Sequence, residues 1–100
     1  MDANDTSILE ARVQVPGHVV YRDFVNETVV LNLETGTYHG LNRTAGLMLT
    51  ALEAATSVRA AAAKLAADMD WDPKTVERDM VGLCRTLDES GLIHFNSGDA

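Results

Sequence analysis

Eight Lys+Arg stand against fifteen Asp+Glu in 100 residues, a net charge of −7, with 46% apolar and 23% charged side chains. A chain this short buries only roughly 60–65% of the surface its unfolded form exposes, so it holds one hydrophobic core and a two-domain enzyme is excluded. Aromatics make up 5%, leaving Leu, Val, Ala and Met to build that core, which suits helices on a small sheet better than an all-β sandwich.

Residues 1–11 mix small, acidic and polar types without sustained periodicity and read as a mobile arm ending near Arg12-Val13-Gln14-Val15. Pro16-Gly17 marks a turn. His18 to Phe24 and Thr28 to Leu33 are rich in β-branched and aromatic residues, and the short Asn26-Glu27 link between them predicts a tight hairpin, with Asn26 able to take positive φ. In the second strand Val29, Leu31 and Leu33 share one face and Thr28, Val30 and Asn32 the other, so one side packs on the core. After the Glu34-Thr35-Gly36 turn, Thr37 to Leu41 form a third strand, at the edge of a three-strand meander.

Three helices are predicted next. Asn42, with Thr44 as the alternative, caps one running to about Ala54, and Ser57 caps a second with apolar Val58, Ala61, Ala62, Leu65, Ala66 and Met69 at spacings of three and four. Asp72-Pro73 opens the third, where Val76, Met80, Leu83 and Leu87 recur on one face and Ser90-Gly91 supplies the stop. A short apolar segment, Leu92 to Phe95, follows, and 96–100 read as a frayed tail. The domain proper is therefore 12–95, an α+β unit of order β-β-β-α-α-α.

Little in this chain carries reaction chemistry. Cys84 lies on the third helix without an adjacent base, a setting for a structural thiol rather than a nucleophile, and as the single cysteine it excludes an intramolecular disulfide or a cysteine-based zinc cluster. His18, His39 and His94 lack metal-ligand spacing, and no P-loop, G-x-G-x-x-G or G-x-S-x-G is present. Asp88-Glu89 reads as a solvated helix face. Trp71, between two aspartates, suits packing over a helix junction better than anchoring a partner. The acidic, polar start does not resemble a secretory signal and no apolar run approaches the ~18 residues of a membrane span, so a cytoplasmic protein without membrane association is expected. Arg78 and Arg85 share a face of the third helix, as in a DNA-recognition helix. Residues 72–90 nevertheless carry three basic against five acidic side chains, which phosphates would repel. No metal, cofactor or nucleic-acid partner is expected.

The third strand is more informative. Soluble proteins blunt an edge strand with Lys, Pro or a bulge, and neither Lys nor Pro occurs from Thr37 to Leu41. Tyr38 and His39 point to opposite faces and Gly40 leaves the backbone open to approach. Either the edge accepts a peptide as an added strand or a helix covers it.

The run Val30-Leu31-Asn32-Leu33-Glu34-Thr35-Gly36-Thr37-Tyr38-His39-Gly40-Leu41-Asn42 resembles the hairpin of the PqqD-like family, stand-alone recognition elements for ribosomally made precursor peptides in pathways that include lasso-peptide and PQQ biosynthesis. The Ser57-Val58 helix start, the Trp71-Asp72-Pro73 break and the closing Leu87-Asp88-Glu89-Ser90-Gly91-Leu92-Ile93 extend the likeness over about residues 18–95. The resemblance implies a winged-helix-like fold, a three-stranded antiparallel sheet packed on three helices. It also implies a non-catalytic adaptor needing no cofactor, which takes a leader peptide as an extra strand and delivers it to a modifying enzyme such as a radical SAM protein or a leader peptidase. By position, Thr37, Tyr38, His39 and Gly40 would form the strand face. Val76, Met80 and Leu83 would pocket apolar leader side chains, and Arg78 or Asp79 would pair with a charged one. The competing readings are a DNA-binding winged helix and a structural subunit of an enzyme complex.

Overall fold

The computed structural model describes residues 4–96. Its elements are α1 (Asn4–Glu10), β1 (Arg12–Gln14), β2 (Val19–Asp23), β3 (Glu27–Asn32), β4 (Tyr38–Asn42), α2 (Arg43–Ala54), α3 (Val58–Met69), α4 (Pro73–Glu89) and β5 (His94–Asn96). The three-stranded sheet is antiparallel in the order β2-β3-β4, and three helices follow it. This is the α+β, winged-helix-like arrangement predicted from the sequence.

The helix starts follow from their caps. Asn42 Oδ1 accepts the Ala45 N–H at 2.8 Å, Ser57 Oγ the Ala60 N–H at 3.0 Å and Asp72 Oδ2 the Thr75 N–H at 2.9 Å, each satisfying an amide that the first turn leaves without a helical partner. Pro73 sits in the first turn of α4, where its missing N–H is harmless. Asp70, in the left-handed region at φ 56°, ends α3 and lets the Trp71 N–H reach the Ala66 carbonyl at 3.0 Å. Trp71 then packs half-buried against the core. Asp70 is the one non-glycine residue with positive φ among the described residues, so the β2–β3 turn closes without that conformation at Asn26.

The sheet turns its more polar face inward. Thr28, Val30 and Asn32 are buried while Leu33 is 56% exposed, although Val29, Leu31 and Leu33 are the more apolar set. Both inward polar side chains are satisfied. The Thr28 hydroxyl donates to Asp23 Oδ1 at 2.6 Å, and Asn32 Oδ1 accepts the Glu34 and Thr35 amides at 2.9 and 3.3 Å, holding the β3–β4 turn. Thr28 also marks the closest approach of helix to sheet. A Cβ on Gly46 of α2 would stand 2.2 Å from Thr28 Oγ1 and 2.9 Å from Thr28 Cβ, so only glycine lets α2 lie there. Beneath the sheet, Leu49 and Leu52 of α2, Val58 of α3, Met80 and Cys84 of α4 and Leu92 complete a core of almost fully buried side chains.

Two parts depart from the sequence reading. The segment expected to be a mobile arm holds α1, whose Ile8 is 8% exposed, and α1 packs against α3 and α4. An ion pair from Asp5 to Arg85, a 2.9 Å pair from Glu10 to Arg59 and the Val58 N–H donated to the Ala11 carbonyl fasten it. Seven residues are too few to hold a helix by local propensity, so its formation depends on this docking, which periodicity does not register. The second departure is a separate two-stranded antiparallel sheet, β1 with β5, in which Arg12 pairs with Asn96 and Val13 with Phe95. Asn96 therefore belongs to a strand rather than to a tail, and 97–100 lie outside the described residues.

Gly46→Ala is expected to lower the unfolding free energy by about 1–3 kcal/mol through overpacking against Thr28. Gly82→Ala, whose added Cβ meets nothing within 4 Å on exposed α4, should raise it by about 0.5–1 kcal/mol. Thermal and urea unfolding of the two variants check the contrast.

Candidate functional site

Among the described residues β4 is hydrogen-bonded on one side only, to β3. Gly36, at φ +76°, turns the chain back and donates to the Asn32 carbonyl at 2.8 Å, and the Asn32 N–H donates to the Thr37 carbonyl at 2.9 Å. That bond fixes the parity of the ladder. Hydrogen-bonded and non-hydrogen-bonded pairs alternate in an antiparallel ladder, so His39 and Leu41 direct their backbone groups to β3, as does the Thr37 carbonyl, while the Thr37 N–H donates to Thr35 Oγ1 at 3.2 Å. The N–H and C=O of Tyr38 and Gly40 point away from the sheet.

The side chains follow the same alternation. His39, opposite Val30, lies half-buried on the inner face, while Tyr38, opposite Leu31, stands 73% exposed on the outer face. Gly40, opposite Val29, adds no side chain, and Thr37 precedes the strand, its hydroxyl 2.7 Å from that of Thr35. Val20 of β2, Leu31 of β3 and Tyr38 of β4 form one apolar row across the outer face. The sequence alternation contained this row but did not say which face was outward.

The far edge of the sheet is less open. The Val19 N–H of β2 donates to the Pro16 carbonyl at 3.0 Å, which folds the entering chain back on that edge.

The helical residues divide differently from the expectation. Val76 is 3% and Met80 0% exposed, on the same inward face as Cys84 and Leu87, so they belong to the core and offer no groove wall to a guest. The reason is that α4, which packs chiefly against α3, turns the face carrying Val76, Met80, Cys84 and Leu87 inward. Arg78 and Asp79 are exposed and paired at 3.5 Å, and Leu83 is half-buried. Glu77 and Arg85 reach α3 and α1 from one flank of α4, so helical spacing puts Asp79 and Leu83 on the opposite flank. The structure thus gathers Tyr38, His39 and Gly40 on β4, with Thr37 just before it, and keeps Arg78, Asp79 and Leu83 on a separate helix. Outside the sheet, β4 packs mainly on α2.

The family model for coenzyme PQQ synthesis protein D (PqqD) matches residues 27–93, from the start of β3 to the end of the buried Leu92-Ile93 pair. The chain belongs to the PqqD family. Two solved structures are similar to it. "TbiB1 in Complex with the TbiA(beta) Leader Peptide" has 29% identity and a TM-score of 0.69, covering 81% of this chain and 94% of that one. "Lasso peptide synthetase B1 complexed with the leader peptide" has 25% identity and a TM-score of 0.72, covering 84% and 99%. Comparison with curated proteins finds no match.

The other chemically notable groups of this PqqD-family chain are structural in setting. Burial, reinforced by nearby Asp88, pushes the Cys84 thiol up to about 12, leaving no thiolate near neutral pH. Burial likewise pushes Tyr21 up to about 12, helped by Glu53, which accepts its hydroxyl proton in a hydrogen bond from β2 to α2. Among the described residues no group of three His, Cys, Asp or Glu could hold a metal ion, and no helix is long and apolar enough to cross a membrane. A groove of about 600 Å³ lies between the β2–β3 turn, α2 and α3, walled by Phe24, Val25, Leu47, Ala51, Leu65 and Met69, and none of residues 37–42 line it. No local sequence signal marks it, because three distant elements form it.

Cys84 and Tyr21 are both raised above their unfolded values of about 9 and 10. Their contribution to stability is therefore complete below about pH 9 and is lost as pH rises toward about 12. Urea midpoints measured from pH 8 to 11 should fall with rising pH, and Tyr21→Phe should flatten the part of that fall above pH 10. In the same range of conditions the native thiol should react with a maleimide only as fast as the chain unfolds.

Proposed function

We propose that this chain is a non-catalytic adaptor that binds the leader segment of a ribosomally made precursor peptide as a fourth strand on β4 and delivers it to a separate modifying enzyme, a radical SAM protein or a leader peptidase. The observation that carries the reading is the outward N–H and C=O of Tyr38 and Gly40, without a partner among the described residues, on a strand that has neither Lys nor Pro. The two similar structures, each described as a leader-peptide complex, support it.

Magnitudes distribute the work. Ladder hydrogen bonds contribute a net ~0.5–1.5 kcal/mol each, and ordering each leader residue costs ~1–2 kcal/mol of backbone entropy. The two roughly cancel, so affinity rests on apolar leader side chains, each contributing ~1.5–3 kcal/mol when fully buried. In this reading Tyr38 meets leader side chains on the outer face, and His39 with the Asp79 and Leu83 flank of α4 meets those on the inner side. Val76 and Met80 act from beneath, by holding α4 in place. Arg78 takes part only if a leader carboxylate replaces Asp79 as its partner. The DNA-binding alternative loses its motive, since Arg78 is paired with Asp79 and Arg85 with Asp5.

Titrating the labelled chain with synthetic leader peptides should shift the amide signals of Tyr38 and Gly40 first, and unchanged signals from Thr37 to Leu41 would falsify the reading. The bound peptide should be recovered with its mass unaltered. Gly40→Pro removes one outward N–H without touching the β3 ladder and should weaken leader binding about tenfold or more while retaining the circular dichroism of the parent. Should that variant unfold, peptides N-methylated at alternate residues give the same test from the guest's side, one register binding and the other not. Tyr38→Ala should weaken binding with the unfolding temperature unchanged.

A further inference from the structure

Glu27 opens β3 opposite Asn42, so it shares the outer face of the sheet with Gly40, its diagonal neighbour on β4. A Cβ built on Gly40 would stand 3.4 Å from Glu27 Oε2. The carboxylate therefore leans across the gap between the strands and rests over the one position of β4 that has no side chain. Neighbouring strands lie about 4.8 Å apart, which puts this carboxylate one strand spacing from any chain added beyond β4. Glu27 is exposed, and among the described residues no Lys, Arg or His reaches it within 4.0 Å. Arg22, on the same face of β2 across Val29, and Arg43, next after Asn42, are the nearest cations in register, and neither pairs with it.

We propose that Glu27 is a specificity residue of the β4 rim, selecting a guest strand that carries Lys or Arg at the position facing Gly40. The inference rests on the strand-addition reading above and deepens it from a strand acceptor to an acceptor of a charge-marked strand. An ionised carboxylate accepts hydrogen bonds and donates none, so its partner is a donor, and a cation is the donor it rewards most. The stem of a Lys or Arg also fits the site. It would lie over the half-buried Val29 beside the exposed Tyr38 ring, with its charged end at the carboxylate. The empty side-chain position at Gly40 leaves the room that this path needs.

Because the pair is exposed, its effect on affinity is about two- to fivefold, and its clearer signature is the sign of a preference. The probe is a set of fluorescent synthetic nonapeptides in which one position at a time is fixed as Lys, Glu or Leu. With the parent chain one position should prefer Lys over Glu by about fivefold. Glu27→Gln should bring that ratio close to one and Glu27→Lys should reverse it, while preferences for Leu elsewhere and the unfolding temperature stay unchanged. Peptides that shift the Tyr38 and Gly40 amides without a Lys preference at any position overturn the assignment and leave strand addition intact. A preference that survives Glu27→Lys but disappears in Asp79→Asn overturns it in favour of the α4 flank. A set in which no peptide binds at all overturns both readings.

Discussion

The contact between Gly46 and Thr28 governs the rest of the arrangement. With no side chain at Gly46, α2 descends until its backbone meets the threonine, and any larger residue would displace it from β3. That descent explains why the sheet buries a face with two polar residues. Thr28 is short enough to fit beneath the helix, and its hydroxyl keeps a hydrogen bond to Asp23, so its burial leaves no unsatisfied group. Leu31 and Leu33 are consequently turned outward, and the apolar row from Val20 through Leu31 to Tyr38 is a product of how the helix seats itself.

The same seating decides which backbone groups are free. β3 is central and bonds on both sides, β2 is closed at its entry by the Pro16 turn, and β4 leads directly into α2 through the Asn42 cap. A strand tied to a helix at one end and to the Asn32 turn at the other has little freedom to shift register. Tyr38 and Gly40 thus hold their outward groups in a fixed frame, which in the proposed strand addition would lower the ordering cost on the protein's side.

Much of this was legible in the sequence because the signals are local. Asn42, Ser57 and Asp72-Pro73 announced α2, α3 and α4, and the β-branched runs with short links announced β2, β3 and β4. What was hidden depends on contacts between distant segments. α1 has Ile8 and Leu9 as its main apolar residues and is a helix because α3 and α4 receive it, and β1 becomes a strand only beside β5, some eighty residues later in the chain. The same reason accounts for Val76 and Met80. Their spacing with Leu83 and Leu87 marked an apolar face, but whether such a face lines a groove or fills a core depends on what packs against it. Glu27 was invisible as a site residue, since only the register to β4 brings its carboxylate over Gly40.

Pairing of Arg12 with Asn96 sets β5, the last element of the described fold, beside β1, the strand that follows α1, in a ribbon that contributes no strand to the β2–β3–β4 sheet. A tether at the C-terminal end would leave from this ribbon, and one at the N-terminal end from α1, which packs on α3 and α4, rather than from the strand that carries Tyr38 and Gly40. A unit with that layout can be grafted into a larger polypeptide, or linked to a second module, with the open margin of β4 still facing outward.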